Sequence, residues 1–117
     1  MDKKLSDRDV LLVKEKDSNE LKVVTGQNKD GTPKTASPQE TDNPDFLKID
    51  KNGNVLENFF ANFMRQAKDP TQFEFFKMPA LIVEQGGVKD LQAAAENPEK
   101  PENKATLDMH RVEPEAF

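Results

Sequence analysis

The 117-residue chain contains no cysteine, a single histidine and no long apolar run. Without cysteine it has no disulfide, no thiolate zinc site and no cysteine nucleophile. One histidine, His110, excludes metal motifs that need two, and the three serines lie outside any Gly-x-Ser-x-Gly element. A membrane span needs about 18 successive apolar residues, and a signal peptide needs an apolar segment that residues 1–9 lack. We therefore expect a non-enzymatic, cytoplasmic protein with no cofactor, no metal and no membrane contact.

Apolar side chains are also scarce. They make up 34% of the residues and charged ones 33%, and Leu, Ile, Val and Phe together number 27. As a share of the chain, these four residue types lie slightly above the roughly 20% below which disorder is expected. We therefore predict one small core. The net charge of -5 opposes broad attraction to nucleic acid, although residues 80–117 carry most of the acidity, with 8 acidic and 4 basic residues.

The first part of the chain has the pattern of a β-hairpin. Residues 9–14 and 20–25 are rich in Val and Leu and flank a polar turn at residues 16–19. The run at residues 10–13 is apolar enough to be covered on both faces. Residues 27–44 contain three prolines and almost no apolar side chain, which predicts a mobile loop. Residues 1–8 are expected to be a flexible N-terminus.

Seven of the eight phenylalanines lie in residues 46–76. Residues 46–50 predict a short strand. Residues 55–67 then show apolar side chains at i, i+3, i+4 and i+7, which predicts an amphipathic helix that Asn54 caps and Asp69-Pro70 ends. Residues 72–77 predict a further strand, with Phe73 and Phe75 on one face and Glu74 and Phe76 on the other.

The remaining residues predict a second helix and a tail. Pro79 is suited to start the helix, and Gly86-Gly87 interrupts it before residues 88–96. Residues 97–117 are rich in Pro and Glu, which indicates an acidic tail or linker outside a domain spanning residues 9–96. The predicted fold is α+β: a small antiparallel sheet, made of the hairpin and one or two further strands, packed against one Phe-rich helix, with a second, broken helix.

Two segments partly match ligand-binding motifs. Gly26 to Gly31 has the glycine spacing of a phosphate-binding loop, but Thr32 and Pro33 stand where the motif needs Lys and a helix start. Residues 50–54 resemble the opening of a calcium loop, but Val55 occupies the glycine position and Ala61 the bidentate glutamate position. A turn is the better interpretation of both segments.

Several segments resemble the N-terminal region of a family of uncharacterised Bacteroidetes proteins carried on conjugative transposons and related mobile elements. They are residues 23–34, 46–50, 55–70 and 73–76, and the most specific part is Leu-Glu-Asn-Phe-Phe-Ala-Asn-Phe-Met-Arg-Gln. The family has no established catalytic residues, so the resemblance implies none here. It implies that the domain belongs to a longer protein, and the chain departs from the family pattern after Met78.

These observations lead to two hypotheses about function. The first is a protein-interaction module, whose partner is another protein or further domains of a longer chain. Its Phe stripe is wider than a small sheet covers, and the candidate partner-binding residues are Phe59, Phe60, Phe63 and Met64. The alternative is an accessory nucleic-acid-binding domain in conjugative or mobilisation DNA processing, with Lys14, Lys16 and Lys22 as candidate contacts. The oligomeric state is left open.

Overall fold

The computed structural model describes residues 9–37, 48–49, 54–84 and 86–116. Within these ranges the strands are β1 (Asp9–Glu15), β2 (Lys22–Gln27), β3 (Pro33–Ala36), β4 (Lys48–Ile49), β5 (Phe73–Pro79) and β6 (Arg111–Val112). The helices are α1 (Asn54–Gln66), α2 (Ala80–Glu84), α3 (Val88–Glu96) and α4 (Pro101–His110), and 3-10 turns form at Pro70–Gln72 and Pro114–Ala116.

The strands form one antiparallel sheet in the order β3-β2-β1-β5-β6, and β4 pairs with the start of β1. β1 occupies the centre because its apolar run can be covered on both sides. Val10 and Leu12 point to one face, Leu11 and Val13 to the other, and all four are buried. The predicted hairpin, and the covering of residues 10–13 on both faces, are confirmed.

Helix α1 covers one face of the sheet. It buries Leu56, Phe59, Phe60 and Phe63 against strand residues that include Leu11, Val24 and Phe75. The rings meet edge to face, with centroids 5.0 Å apart for Phe60 and Phe75 and 5.1 Å apart for Phe63 and Phe75. This geometry adds favourable quadrupole interactions to the buried area. The predicted Phe-rich helix is confirmed.

Helices α2, α3 and α4 cover the opposite face. They contribute Val83, Val88, Leu91 and Leu107 to a second cluster with strand residues that include Phe76. The predicted break in the second helix is confirmed: α2 ends at Glu84, Gly86 has a φ of +87°, and α3 begins at Val88. The α+β class is therefore correct, and the sheet forms the middle layer of three.

Two glutamines fasten loops to these layers. On α3, the Gln92 side chain accepts a hydrogen bond from the Leu21 N–H at 2.7 Å and donates one to the Asn19 carbonyl at 2.6 Å. On β2, Gln27 donates to the carbonyls of Gly31 and Phe59, at 3.0 and 2.9 Å, so it joins the β2–β3 turn to α1. Each carboxamide therefore links the backbone of a turn to a helix.

The prediction of a loop over residues 27–44 is wrong in its first part. Gln27 ends β2 and Pro33–Ala36 form β3, an edge strand, while residues 38–47 lie outside the described residues. An edge strand needs backbone hydrogen bonds on one side only, so it tolerates Pro33 and exposes Lys34 without an apolar pattern. Gly31 closes the turn with a φ of +86°, a conformation that favours glycine.

The prediction of a tail after residue 96 is also wrong. Pro101–His110 form α4 and Arg111–Val112 form β6, which pairs with β5. Leu107 and Val112 are buried, one on each face of the sheet. With Leu107 as its one buried residue, α4 shows almost no apolar periodicity, so the composition of this segment did not reveal its place in the core. Residues 1–8, most of the predicted strand at 46–50 and residues 51–53 lie outside the described residues.

Candidate functional site

Three of the four candidate partner-binding residues belong to the core. Phe59, Phe60 and Phe63 are 4%, 0% and 0% exposed, whereas Met64 is 41% exposed. The stripe on α1 is wide because the sheet beneath it is wider than predicted. A partner cannot reach the three phenylalanines without opening the domain, so their assignment as a docking surface is wrong and Met64 alone remains accessible.

Met64 lines a cleft of about 370 Å³ between the end of α1, the 3-10 turn at Pro70–Gln72 and residues 111–115. We call it the Met64 cleft. Its apolar lining includes Phe73, Phe75 and Val112, and its charged lining consists of Lys16, Glu74, Arg111, Glu113 and Glu115.

The turn at Pro70–Gln72 is fixed beside this cleft by Asp69. The Asp69 carboxylate accepts hydrogen bonds from the Thr71 hydroxyl and the Thr71 N–H, and also from the Gln72 side chain. The hydrogen bond from the Thr71 hydroxyl is the main reason that the pKa of Asp69 is lowered, and the nearby Lys16 ammonium also lowers it. Lys16 is anchored through its backbone N–H, which donates to the Gln72 carbonyl at 2.8 Å.

An ion-pair network connects the central strands to the C-terminal segment at one side of the cleft. The Glu74 carboxylate lies between the Lys14 ammonium, at 3.0 Å, and the Arg111 guanidinium, at 2.7 Å. Arg111 also contacts Asp108, at 3.3 Å, and lies over the Phe76 ring. Burial alone would raise the pKa of Glu74, but the hydrogen bonds from Arg111 and Lys14 outweigh it and lower that pKa. Burial alone would lower the pKa of Arg111, but its hydrogen bonds to Glu74 and Asp108 outweigh burial and raise that pKa.

Acidification is expected to weaken the fold through this network. The folded pKa of Glu74 lies below the ordinary value of 4.5, so the ionised carboxylate stabilises the fold above that value. This contribution is lost as the pH falls through the lowered folded pKa. We expect Glu74→Gln to lower the free energy of unfolding by about 1–3 kcal/mol at neutral pH and to flatten its acid dependence. Urea unfolding at several pH values measures both effects. Glu113→Gln, at an exposed carboxylate, is the control, and an identical pH profile for E74Q and wild type would contradict the prediction.

The three candidate nucleic-acid contacts do not form a basic patch. Lys14 is 8% exposed and is held by Glu74 and the Ser18 carbonyl. Lys22 shares a second cleft, of about 250 Å³, with Lys14 but pairs with Glu20 at 3.8 Å. Lys16 lines the Met64 cleft instead. The ammonium of Lys14 is therefore unavailable, and its assignment as a nucleic-acid contact is wrong.

Sequence reasoning missed the role of Glu74 and Arg111. Glu74 interrupts a run of phenylalanines at a strand position that shares a face with Phe76, and Arg111 is the only arginine after residue 65. A half-buried carboxylate at such a position needs a cation. That requirement was the available signal for an ordered Arg111.

The part of the chain that the structure describes contains no group of three or more His, Asp or Glu side chains arranged to hold a metal ion. No helix there is both long and apolar enough to cross a membrane. Comparison with protein-family models, curated proteins and solved structures finds no match to the chain.

Proposed function

We propose that this chain is a non-catalytic, cytoplasmic protein-binding module that holds a segment of its partner in the Met64 cleft. The observation that carries the proposal is the position of Met64. It is the large apolar side chain of α1 that stays substantially exposed while its neighbours Phe60 and Phe63 are buried, and it lines a cleft with other apolar residues. A role within a mobile-element protein, which the resemblance implies, is part of the same proposal.

The cleft has the composition of a small recognition site. Pockets that bind ligands occupy about 300–1,000 Å³ and combine an apolar lining with a few polar groups. Protein interfaces likewise have an apolar centre and a polar rim, and here Lys16 and Glu113 supply the rim. Methionine is well suited to such a centre because its unbranched side chain adapts to the shape of the occupant. We expect one apolar side chain of the partner to enter.

A peptide selection tests the proposal. A displayed library of random peptides is selected on the folded domain, and the enriched peptides are titrated against two variants, Met64→Lys and Met109→Lys. Both methionines are exposed and both substitutions add one charge, but Met109 lies on α4 and is absent from the cleft lining. We expect Met64→Lys to weaken binding at least about tenfold, which corresponds to about 1.4 kcal/mol. Met109→Lys is expected to change binding less than about twofold.

Two results would contradict the proposal. One is a selection that enriches no peptide with measurable affinity for the folded domain. The other is enriched peptides that bind Met64→Lys as well as wild type. Thermal unfolding checks that both variants are folded. We expect this because neither substitution replaces a buried side chain.

A further inference from the structure

Four cationic side chains surround the β2–β3 hairpin and the C-terminal end of α1. Lys29 and Lys34 belong to the hairpin, and Arg65 and Lys68 lie at the end of the helix. All four are exposed, and none forms an ion pair with another described residue. We call these four residues the hairpin–helix surface. It is separate from the three lysines that the sequence had singled out.

The fold holds the hairpin and the helix together. A Cβ on Gly31 would lie 3.1 Å from the Asn62 carbonyl oxygen and 3.1 Å from the Gln66 Cβ, so the turn packs directly on α1. The Gln27 carboxamide accepts a hydrogen bond from Asn62 at 3.0 Å, and Asn62 in turn accepts one from Arg65 at 2.9 Å. The two cation-bearing elements are therefore adjacent because of backbone packing and an amide network, not because of side-chain pairing.

Asp30 and Asp69, the described acidic residues beside the hairpin turn and the end of α1, already accept hydrogen bonds. Asp30 accepts hydrogen bonds from the N–H and hydroxyl of Thr32, and the bond from the hydroxyl is the main reason that its pKa is lowered. Lys68 is close enough to lower that pKa further. Asp69 is held in the same way by Thr71. Among the described residues, the carboxylates beside these cations are therefore hydrogen-bonded rather than ion-paired, in a chain whose net charge is -5.

Intramolecular roles account for only part of the surface. Arg65 and Lys68 lie where the negative end of the α1 dipole favours cations. Lys29 and Lys34 have no such role, since the hairpin carries no helix end. Lys34 lies on the edge strand β3, and its Cδ is 3.6 Å from the position that a Cβ would take on the neighbouring Gly26.

We propose that the hairpin–helix surface binds the phosphate backbone of nucleic acid. Interfaces with nucleic acid are polar and strongly positive, whereas protein interfaces usually have an apolar centre. The exposed large apolar residues of the described chain are Met64, Leu81, Ile82 and Met109, and none of them belongs to this surface. Contacts to phosphate alone carry no sequence information, so binding is independent of sequence and strongly dependent on salt.

A fluorescence-anisotropy titration tests the proposal with a labelled oligothymidylate of about 20 nucleotides at about 50 mM salt. We expect a Kd below about 100 μM, and a fall of log K with log salt of slope about -2 to -3 for three to four phosphate contacts. The double variant Lys29→Gln/Lys68→Gln is expected to bind about tenfold more weakly, with a slope reduced by about 1.4. Lys89→Gln/Lys104→Gln, on α3 and α4, changes the net charge equally and is expected to bind within about twofold of wild type.

Three results would overturn the proposal. The first is no binding at about 50 mM salt. The second is an equal loss of affinity in the two double variants, which would assign the effect to net charge. The third concerns polyglutamate and unlabelled oligonucleotide, added as competitors at the same concentration of negative charge. If polyglutamate displaced the labelled oligonucleotide equally well, the surface would be assigned to an acidic protein. The Met64→Lys variant is expected to bind the oligonucleotide at least as well as wild type, so this proposal and the peptide proposal fail independently.

Discussion

Replacing Phe63 by alanine is expected to lower the free energy of unfolding by about 3–5 kcal/mol. Phe63 is fully buried, and its ring meets those of Phe60, Phe73 and Phe75 with centroids 5.1–6.5 Å apart. Truncation removes the transfer energy of the ring, leaves a cavity and breaks these edge-to-face contacts. Because small domains are stable by roughly 5–15 kcal/mol, the variant is expected to be close to unfolding.

Urea denaturation of Phe63→Ala and Met64→Ala measures this effect. The two residues are neighbours on α1, so both substitutions place alanine on the same helix, but Met64 is half exposed. We expect Met64→Ala to cost less than about 1 kcal/mol. Equal losses for the two variants would show that Phe63 is not a core residue and would reopen the Phe stripe as a docking surface.

Deleting the chain after Lys100 is expected to cost about 4 kcal/mol or more and to abolish cooperative unfolding in a domain of ordinary stability. The deletion removes Leu107 from one face of the sheet and Val112 from the other, and it uncovers the phenylalanines of β5 that pair with β6. It also removes Arg111, which leaves Glu74 with Lys14 as its only ion-pair partner among the described residues. If the domain ended at residue 96, as the composition predicts, this deletion would leave the melting temperature unchanged.

Two point substitutions on α4 distinguish the loss of buried contacts from the effect of shortening the chain. Leu107 is buried and Met109, two residues away, is largely exposed. Leu107→Ala is expected to cost about 2–5 kcal/mol, and Met109→Ala less than about 0.5 kcal/mol. Thermal unfolding followed by circular dichroism measures both. If the truncated chain and Leu107→Ala both melted at the wild-type temperature, residues 101–116 would not be part of the cooperative fold.

The sequence pattern predicted those elements in which buried residues recur at the period of a strand or a helix. The alternation in β5 and the 3.6-residue stripe of α1 predict both the element and its buried face, because each contributes several apolar residues to one side. The glycine pair at residues 86–87 likewise predicted the break between α2 and α3. For these elements the local pattern and the tertiary packing agree, as is common in natural proteins.

The elements that sequence reasoning missed depend on partners distant in the chain. β3 has no apolar pattern and is an edge strand because β2 offers it a hydrogen-bonding edge and Gly31 closes the turn. α4 carries Leu107 as its one buried residue. Neither segment would be stable alone, because its stability comes from the elements on which it packs. Its local composition therefore resembles that of a loop or tail.

The candidate site was predictable only in part, because it too depends on contacts between segments that are distant in the chain. The helix pattern identified Met64 as an apolar residue of α1, but burial of Phe59, Phe60 and Phe63 depends on how wide the sheet is. The basic residues of the hairpin turn and of the end of α1 are far apart in sequence, at Lys29 and Lys68 for instance, and only the packing of Gly31 on the helix brings the two elements together. Charge patterning within short windows does not detect such a surface.

Methyl NMR of the methionines tests the central functional claim most directly. The domain is labelled at the methionine methyl groups and titrated with a peptide selected on the wild-type chain. Met64 lines the cleft, Met78 is buried in the core, and Met109 is exposed on α4. We expect the Met64 signal to shift in proportion to bound peptide while the Met78 and Met109 signals stay in place. A saturating peptide that shifts Met109 and leaves Met64 unchanged would contradict it.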